Sequence, residues 1–549
     1  MRNVIVSAFL AGAIALPVQA NDAAAVDSLR QTTMNLIDAL VETGVLTREK
    51  ADELIKTAEA KAAKAAARAK KDNTVRVQYV PESVKAEIRE QLKQEVLAQA
   101  RTEGWAAPNA IPEWTERIKI EGDLRVRYQE DSFPNGNSDI AGYAPGAAGN
   151  ASATNQDFPL ATRFPAGVDL DDNGFPTGNA SEEVNRMRLR ARIGLLAKIN
   201  DTVSAGVRLA TGNVRDRVST NQTLGDNFNK FSFLVDRAYI KYDPVEWASV
   251  SGGRIPNPWF ATDLVWDEDL NFDGVALSLR NVTPTRTLRP FATVGWFPLR
   301  ADAPPNADSQ WLAGAQIGAE YELNSNTRLR LGVARYDYHG LEAYTDTRYD
   351  LSGPLAGYGG YEQSSALRAK GNTLVRTNST LDTTEGPIYG LASRFEPWVL
   401  TATADLAHFD PVHVLLSAEF VKNSGFDRSD ILRRTGLDLT DGKDSAYHLR
   451  LQVGMPSVRL FRDWQAFVAY KYIGSDALID GFTDSDFGLG GTNLKGFVVG
   501  GSYGLARDTA VGLRWYSARN IQAMTYDPTV LTGQRYEVDT VMVDMNVRF

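Results

Sequence analysis

The strongest constraint on this chain is a two-residue alternation that begins near residue 116 and continues to the C-terminus. Between Ile118 and Tyr128, every even position holds an apolar or small residue and every odd position is charged. Successive side chains of a strand point to opposite faces, so this segment predicts a strand with one apolar and one charged face. Such a strand needs lipid or a protein core on one side and water on the other.

The segment from Arg186 to Lys198 repeats the alternation in the opposite register, with an arginine ladder on its charged face. Guanidiniums two residues apart on a strand are roughly 6.6–6.8 Å apart, so the ladder needs water or acids opposite. In the alternative interpretation, neighbouring carboxylates such as Glu121 and Asp123 pair with the ladder and merely fill the wall. The ladder consists of Arg186, Arg188, Arg190 and Arg192.

Sixteen segments carry the alternation, and together they predict an all-β antiparallel barrel over residues 116–549. One of them changes register in its middle, which predicts a bulge near Asp236. The predicted strands lie at 118–128, 186–198, 202–213, 230–243, 247–255, 272–281, 288–297, 311–323, 326–338, 397–409, 412–423, 445–455, 463–474, 494–506, 509–519 and 535–549.

The connections between these strands alternate strictly between short and long. Links such as Asn200-Asp201 and Asp410-Pro411 alternate with connections such as 130–183 and 339–387. A transmembrane β-barrel meets its two sides in this way, with tight periplasmic turns and long outer loops. An even strand count also returns both ends of the barrel to the periplasmic side.

A soluble β-sandwich is the alternative fold for alternating strands. It does not explain why short turns recur on only one side. It also does not explain the aromatic residues near strand ends, which suit the interfacial girdles of a membrane barrel. These aromatic residues are Tyr128, Trp247, Trp311, Trp464 and Trp515.

The N-terminus and the composition restrict where the chain works. Residues 1–20 predict a secretory signal peptide, with a basic start, an apolar stretch from Val4 to Leu16 and cleavage after Ala20. The chain has no cysteine, which excludes disulfides and thiol nucleophiles. Its net charge of −9 argues against a nucleic-acid partner.

Residues 21–110 have a helical period instead of a strand period. Val26, Leu29, Thr33, Leu36 and Leu40 form a short heptad seam, and an Ala/Lys run that ends at Lys71 strongly favours helix. We expect a periplasmic helical or coiled-coil region. It either packs on its own chain, or sets the oligomeric state and contacts peptidoglycan.

Several motifs resemble the putative-porin family of Gram-negative bacteria. They are Val75-Arg-Val-Gln-Tyr-Val-Pro-Glu82, Ile111-Pro-Glu-Trp114 with Glu121-Gly-Asp-Leu-Arg125, and Gly253-Arg254 to Asn257-Pro-Trp-Phe260 followed by Thr262-Asp-Leu-Val-Trp-Asp267. The last strand ends in alternating hydrophobic residues and a terminal aromatic, which resembles the C-terminal signature of outer-membrane barrels. That signature consists of Val543, Met545, Val547 and Phe549.

The resemblance implies an outer-membrane porin that passes small hydrophilic solutes or ions by passive diffusion. It also implies contact with outer-membrane lipid and lipopolysaccharide, insertion by the barrel-assembly machinery and a homotrimer like the general porins. General porins fold their third outer loop into the pore. The acids of the third long connection, near residues 256–271, would therefore face the ladder at a constriction. These acids are Asp263, Asp267, Glu268 and Asp269.

Other functions find weaker support. Asp169, Asp171 and Asn173 fit half of a calcium loop, but Ala180 stands where the acidic twelfth ligand belongs. We expect no other cofactor. His413 and Ser417 are four residues apart on one strand face, roughly 13 Å, which is too far for a nucleophile and its base. We expect no enzyme activity, and the alternative function is a structural anchor whose N-terminal helices tether the outer membrane to the cell wall.

Overall fold

The computed structural model divides the chain into two units, Met1–Ala110 and Ile111–Phe549. It describes residues 56, 60, 117–138, 160–170, 176–214, 216–281, 287–301, 309–344, 370–377, 388–524 and 534–549. The predicted signal peptide lies outside the described residues, as does the helical region apart from Lys56 and Ala60, which are both helical. In the parts of the chain that the structure describes, no helix has the length and apolarity to cross a membrane.

Sixteen antiparallel strands form the closed barrel of the second unit. Each strand pairs with the next in sequence, and the last strand pairs with the first, as Val126 opposite Met545 shows. The strands are β1 Ile118–Ser132, β2 Val184–Lys198, β3 Val203–Ala210, β4 Leu234–Val245, β5 Ala248–Pro256, β6 Asn271–Arg280, β7 Leu288–Arg300, β8 Gln310–Asn324, β9 Thr327–His339, β10 Pro397–Phe409, β11 Val412–Asn423, β12 Ser445–Gly454, β13 Trp464–Ile473, β14 Leu494–Ala506, β15 Thr509–Asn520 and β16 Glu537–Arg548.

The prediction of a sixteen-strand antiparallel barrel is confirmed. The bulge at Asp236 is also present, because Arg208 pairs with Arg237 while Leu209 pairs with Val235. The fourth strand begins at Leu234 and not at residue 230. The chain also adds a two-residue strand, Gln222–Thr223, which pairs with β2 beyond the end of β3. The alternation could not indicate this pairing, because two residues are too few to show a period.

The two faces of the strands separate as the alternation predicts. Leu124, Val126 and Tyr128 are exposed on the outer face of β1, whereas Arg125 and Arg127 on the inner face are buried. The same exposed apolar face recurs on the other strands, from Ile193 on β2 to Met545 on β16. An outer surface of this kind is stable against lipid and not against water.

Much of the long connections folds back over or into the barrel. Their hydrophobic residues, among them Phe164, Trp266 and Phe482, are buried in one cluster with inward residues of the strands. The connections also contain short elements of their own. These are a sheet of Ala161–Thr162, Leu374–Arg376 and Tyr389–Leu391, a hairpin of Val168–Leu170 and Pro176–Gly178, helix α1 Arg428–Thr435, and 3-10 turns at Asp480–Phe482 and Phe487–Leu489.

Candidate pore lining

The register of β1 and β2 places the arginine ladder on the inner wall. Arg190 lies opposite Arg125, Arg188 lies opposite Arg127, and Arg192 lies opposite Asp123. The period-two sequence of both strands causes this arrangement, since each charged side chain points away from the lipid-facing residues beside it.

The ladder arginines have partners of different kinds. Arg192 donates from Nε to Asp123 Oδ1 at 2.7 Å, and an Arg190 amino group lies 3.0 Å from Asp123 Oδ2. Arg186 is ion-paired with Asp131, whereas Arg188 has no carboxylate within ion-pair distance among the described residues and donates to the amide oxygen of Gln129 at 3.3 Å. Glu121 instead pairs with Lys119, so of the two neighbouring carboxylates only Asp123 touches the ladder.

The third connection, residues 257–270 between β5 and β6, folds into the barrel. Trp266, Asp267 and Asp269 are all buried there. Asp269 reaches the ladder, with Oδ1 at 2.8 Å from Arg192 Nη1 and 3.7 Å from Arg190 Nη1. Its other oxygen accepts from Thr220 Oγ1 at 2.9 Å. The end of this connection is therefore attached to β2.

Thr262 and Asp263, in the first half of the same connection, attach to strands on another side of the wall. Asp263 Oδ2 lies 2.9 Å from the ammonium of Lys471 on β13. Thr262 donates from its backbone and its hydroxyl to the two carboxylate oxygens of Glu419 on β11, at 3.1 and 2.6 Å. His448 Nδ1 on β12 lies 3.1 Å from the same hydroxyl. The connection therefore spans the interior from β2 to β11–β13.

Burial and nearby charges act in opposite directions on the carboxylates of this connection. Burial would raise the pKa of Asp263, but the charges of Lys471 and His448 outweigh it and hold that pKa well below the ordinary range. Arg190 and Arg192 lower the pKa of Asp269 against burial in the same way. Asp267 has no ion-pair partner in the part of the barrel that the structure describes. Burial and the carboxylates of Asp484 and Asp269 therefore raise its pKa well above the ordinary value.

Of the four acids predicted to face the ladder, all of them described, only Asp269 pairs with it. Asp263 pairs with Lys471 on another part of the wall. Asp267 accepts the backbone N–H groups of Asp269 and Ser485, each at 2.8 Å. Glu268 is exposed to the interior cavity.

Residues 474–493, which connect β13 and β14, form a second inward segment. The sequence did not predict that this connection folds into the barrel. Asp484 accepts from Lys471 at 2.6 Å, and Asp486 lies 3.0 Å from Arg127. Arg127 also pairs with Asp544 on β16, at 2.6 Å. Lys471 could have indicated such a segment, because it is a lone cation at an inward position of β13, and a buried cation needs an acidic partner.

Cavities remain inside the barrel, and residues of the third connection line at least two of them. One has a volume of about 320 Å³ and is lined by Arg125, Arg190 and Glu268 among other charged residues. The other has a volume of about 620 Å³ and is lined by Arg254 and Trp266 among others. The connection therefore narrows the lumen without filling it.

The structure leaves the remaining predicted sites untested or shows only their positions. Asp171 and Asn173 lie outside the described residues, as does the side chain of Asp169, so the calcium prediction has no structural test. Within the described part of the chain, no group of three His, Asp or Glu side chains could hold a metal ion. Val543 and Met545 are exposed on the outer face of β16, Val547 is half-buried, and the ring of Phe549 lies over Gly122.

Comparison with known proteins places this barrel among related chains. A family model described as "Putative porin" matches residues 30–549, and a search of curated proteins finds no match. Solved structures to which the chain is similar include OmpF of Salmonella typhi in complex with daunomycin (11% identity, TM-score 0.36) and the outer-membrane channel DcaP of Acinetobacter baumannii (10% identity, TM-score 0.37). Each covers 79% of this chain and 97% of its own. An anion-selective porin from Comamonas acidovorans is 13% identical, with a TM-score of 0.36, and covers 79% of this chain and 99% of its own.

Proposed function

The chain belongs to the putative porin family, and on that premise we propose that it is a water-filled channel for passive diffusion of small hydrophilic solutes or ions. Membership in a porin family supports an outer-membrane channel and not an enzyme. The barrel agrees with this location, because its outer face is apolar and its inner face is charged.

We propose that the constriction lies between the ladder and the third connection. The ladder side is Arg186, Arg188, Arg190 and Arg192, and the connection side is Asp263, Asp267, Glu268 and Asp269. The observation that carries this proposal is the span of residues 257–270 from Arg192 on β2 to Lys471 on β13, with a polar cavity beside it. Fixed charges around such a narrow passage would orient dipolar solutes and select among ions.

We also propose that the channel prefers anions. Among the residues that the structure describes, several inward arginines have no carboxylate within ion-pair distance, among them Arg125, Arg188, Arg237, Arg330 and Arg450. The described acids of the lumen that lack a cation within ion-pair distance include Asp216, Asp267, Glu268, Glu419 and Asp476, and burial raises the pKa of Asp216, Asp267 and Asp476, which favours their neutral form. The unbalanced charge of the lumen is therefore positive.

Proteoliposome swelling tests the diffusion proposal. Liposomes that contain the folded barrel should swell in neutral sugars, at rates that fall steeply as the sugar becomes larger. Folding is verified by the mobility shift of the unheated protein in a denaturing gel. A correctly folded barrel that admits no sugar would contradict the proposal.

The proposed partners follow from the same surfaces. Outer-membrane lipid and lipopolysaccharide would contact the exposed apolar face, and the barrel-assembly machinery would read the last strand with Phe549. A homotrimer remains a prediction. The tether function and peptidoglycan contact depend on residues 21–110, nearly all of which lie outside the described residues.

A further inference from the structure

Four arginines form a block on the inner wall at the junction of β1 and β2. The strand register sets Arg125 directly opposite Arg190 and Arg127 directly opposite Arg188. Like charges that face each other across an antiparallel pair are destabilising. Two such pairs side by side mean that the wall here is not arranged for stability alone.

The carboxylates near the block do not neutralise it. Arg127 shares Asp544 and Asp486 with Arg514, and Arg190 shares Asp123 and Asp269 with Arg192. Six guanidiniums, including Arg125 and Arg188, therefore share four carboxylates, and two positive charges remain. Asp216 and Glu268, which the structure also describes, lie beyond ion-pair distance of all six.

Arg125 and Arg188 carry the unbalanced charge. Arg125 Nη2 donates to the side-chain oxygen of Asn221 at 2.6 Å, and Arg188 Nη1 donates to that of Gln129 at 3.3 Å. Both acceptors are neutral amides. The Nε groups of both arginines are buried without a hydrogen-bond partner. A buried guanidinium that lacks acceptors is costly, and an entering anion would supply them.

Two arginines of the block, Arg125 and Arg190, border space that a small solute can enter. Arg125 is 4% exposed, yet it lines the cavity of about 320 Å³ together with Arg190 and Asn221. Arg188 is half-buried on the adjoining strand, diagonal to Arg125. Diagonal neighbours on a sheet face are roughly 7–8 Å apart, a distance that one small ion bound between them can bridge.

We propose that Arg125 and Arg188, supported by Arg190, form a binding subsite for a small doubly charged oxyanion. The charge follows from the two unbalanced guanidiniums, and the oxygen acceptors follow from the unpaired N–H groups. The inference rests on the proposed channel, because the subsite lies in its lumen. Inorganic phosphate and a short dicarboxylate such as succinate share this chemistry.

Titration calorimetry on the full-length folded barrel in detergent tests the subsite with sodium phosphate and sodium succinate separately. At least one of the two should bind saturably with one ion per barrel, and the better binder identifies the source of the oxyanion. The double variant Arg125→Gln/Arg188→Gln should weaken that binding by on the order of tenfold or more, since each change removes a charged hydrogen-bond donor. If the double variant does not fold, Arg125→Gln alone gives the comparison.

Arg330→Gln is the matched control, because Arg330 is also an inward arginine with no carboxylate partner in the described barrel and stacks on Phe260 at 3.9 Å. It should leave the affinity within about twofold. The subsite is overturned if neither dianion binds the wild type, or if Arg330→Gln weakens binding as much as the double variant. Binding without conductance would contradict the channel alone, and conductance without binding would contradict the subsite alone.

Discussion

At the scale of single residues, Lys471 holds the interior together. Its ammonium is 1% exposed and joins both inward connections, at 2.9 Å from Asp263 and 2.6 Å from Asp484. Replacing one partner of a buried ion pair leaves the other charges uncompensated, at a cost of about 3–5 kcal/mol. We expect Lys471→Met to lower the free energy of unfolding by that amount, as measured by equilibrium urea unfolding in lipid vesicles.

The control for this prediction is Lys422→Met. Lys422 lies 2.7 Å from Asp444, but its side chain is 51% exposed. Exposed pairs contribute about 0–1 kcal/mol, so this variant should unfold almost as the wild type does. Equal losses in the two variants would mean that Lys471 does not anchor the connections.

The raised pKa of Asp267 predicts that its contribution to the stability of the barrel depends on pH with the opposite sign to that of an ion-paired carboxylate. Because its folded pKa is raised well above the unfolded value, the folded state holds the proton more tightly. Its contribution to stability is therefore present at low pH and is lost as pH rises through the folded pKa. Asp267→Asn loses one acceptor of a backbone N–H, about 1 kcal/mol, at every pH.

The stability of the wild type relative to that of Asp267→Asn should therefore decrease as pH rises from the ordinary aspartate pKa towards neutrality. The temperature at which the folded band disappears in a heat-modifiability gel, measured across that range, provides the comparison. A relative stability of the wild type that increases with pH would mean that Asp267 is ionised in the folded barrel.

At the scale of strands and connections, we expect β2 and the third connection to set the electrostatic field in the lumen. Reversing two ladder charges with Arg190→Glu/Arg192→Glu also breaks the contacts with Asp123 and Asp269. We expect the reversal potential in a salt gradient to move towards cations by tens of millivolts, as recorded in planar bilayers. Arg459→Glu, in the link between β12 and β13 where Arg459 is 58% exposed beside Asp508, should leave the reversal potential in place. An unchanged potential in the ladder variant would mean that the ladder does not line the constriction.

The seam between the first and last strands depends on one close approach. Gly122 and Phe549 exchange backbone hydrogen bonds of 2.9 and 3.0 Å. A Cβ at Gly122 would lie 2.5 Å from the Phe549 ring and 2.7 Å from the carbonyl oxygen of Arg192. Gly122→Ala should therefore destabilise the barrel by about 1–3 kcal/mol, again measured by urea unfolding. Gly194→Ala, whose Cβ would meet Glu121 at an ordinary 3.4 Å, should cost less than half of that; equal costs would contradict this account of the seam.

The strands were predictable from sequence because the alternation of residues within each strand follows the different environments of its two faces. The alternation around Arg190 identifies both faces of β2, and the change of register locates the bulge at Asp236. The connections were less predictable, because their folding depends on partners far away in sequence. Asp484 and Asp263 converge on Lys471 from different connections, and no local period records that convergence.

At the scale of the whole molecule, the charges divide the protein into an apolar exterior and a polar lumen. The exposed outer residues, such as Ile120 and Ile317 at 67% and 68% exposure, need lipid. The inner wall carries several arginines without ion pairs in its described part, and two inward connections narrow the space beside them. This distribution is what a selective aqueous channel requires and what a purely structural anchor does not.

The most direct test of this account is single-channel recording of the purified, heat-modifiable barrel in a planar lipid bilayer under a salt gradient. We predict stable ohmic steps with a reversal potential on the anion-selective side, because the inward arginines without ion pairs keep their charge, whereas burial favours the neutral form of unpaired acids such as Asp267. Steps with a cation-selective potential would contradict the charge assignment. No steps from correctly folded protein would contradict the channel itself.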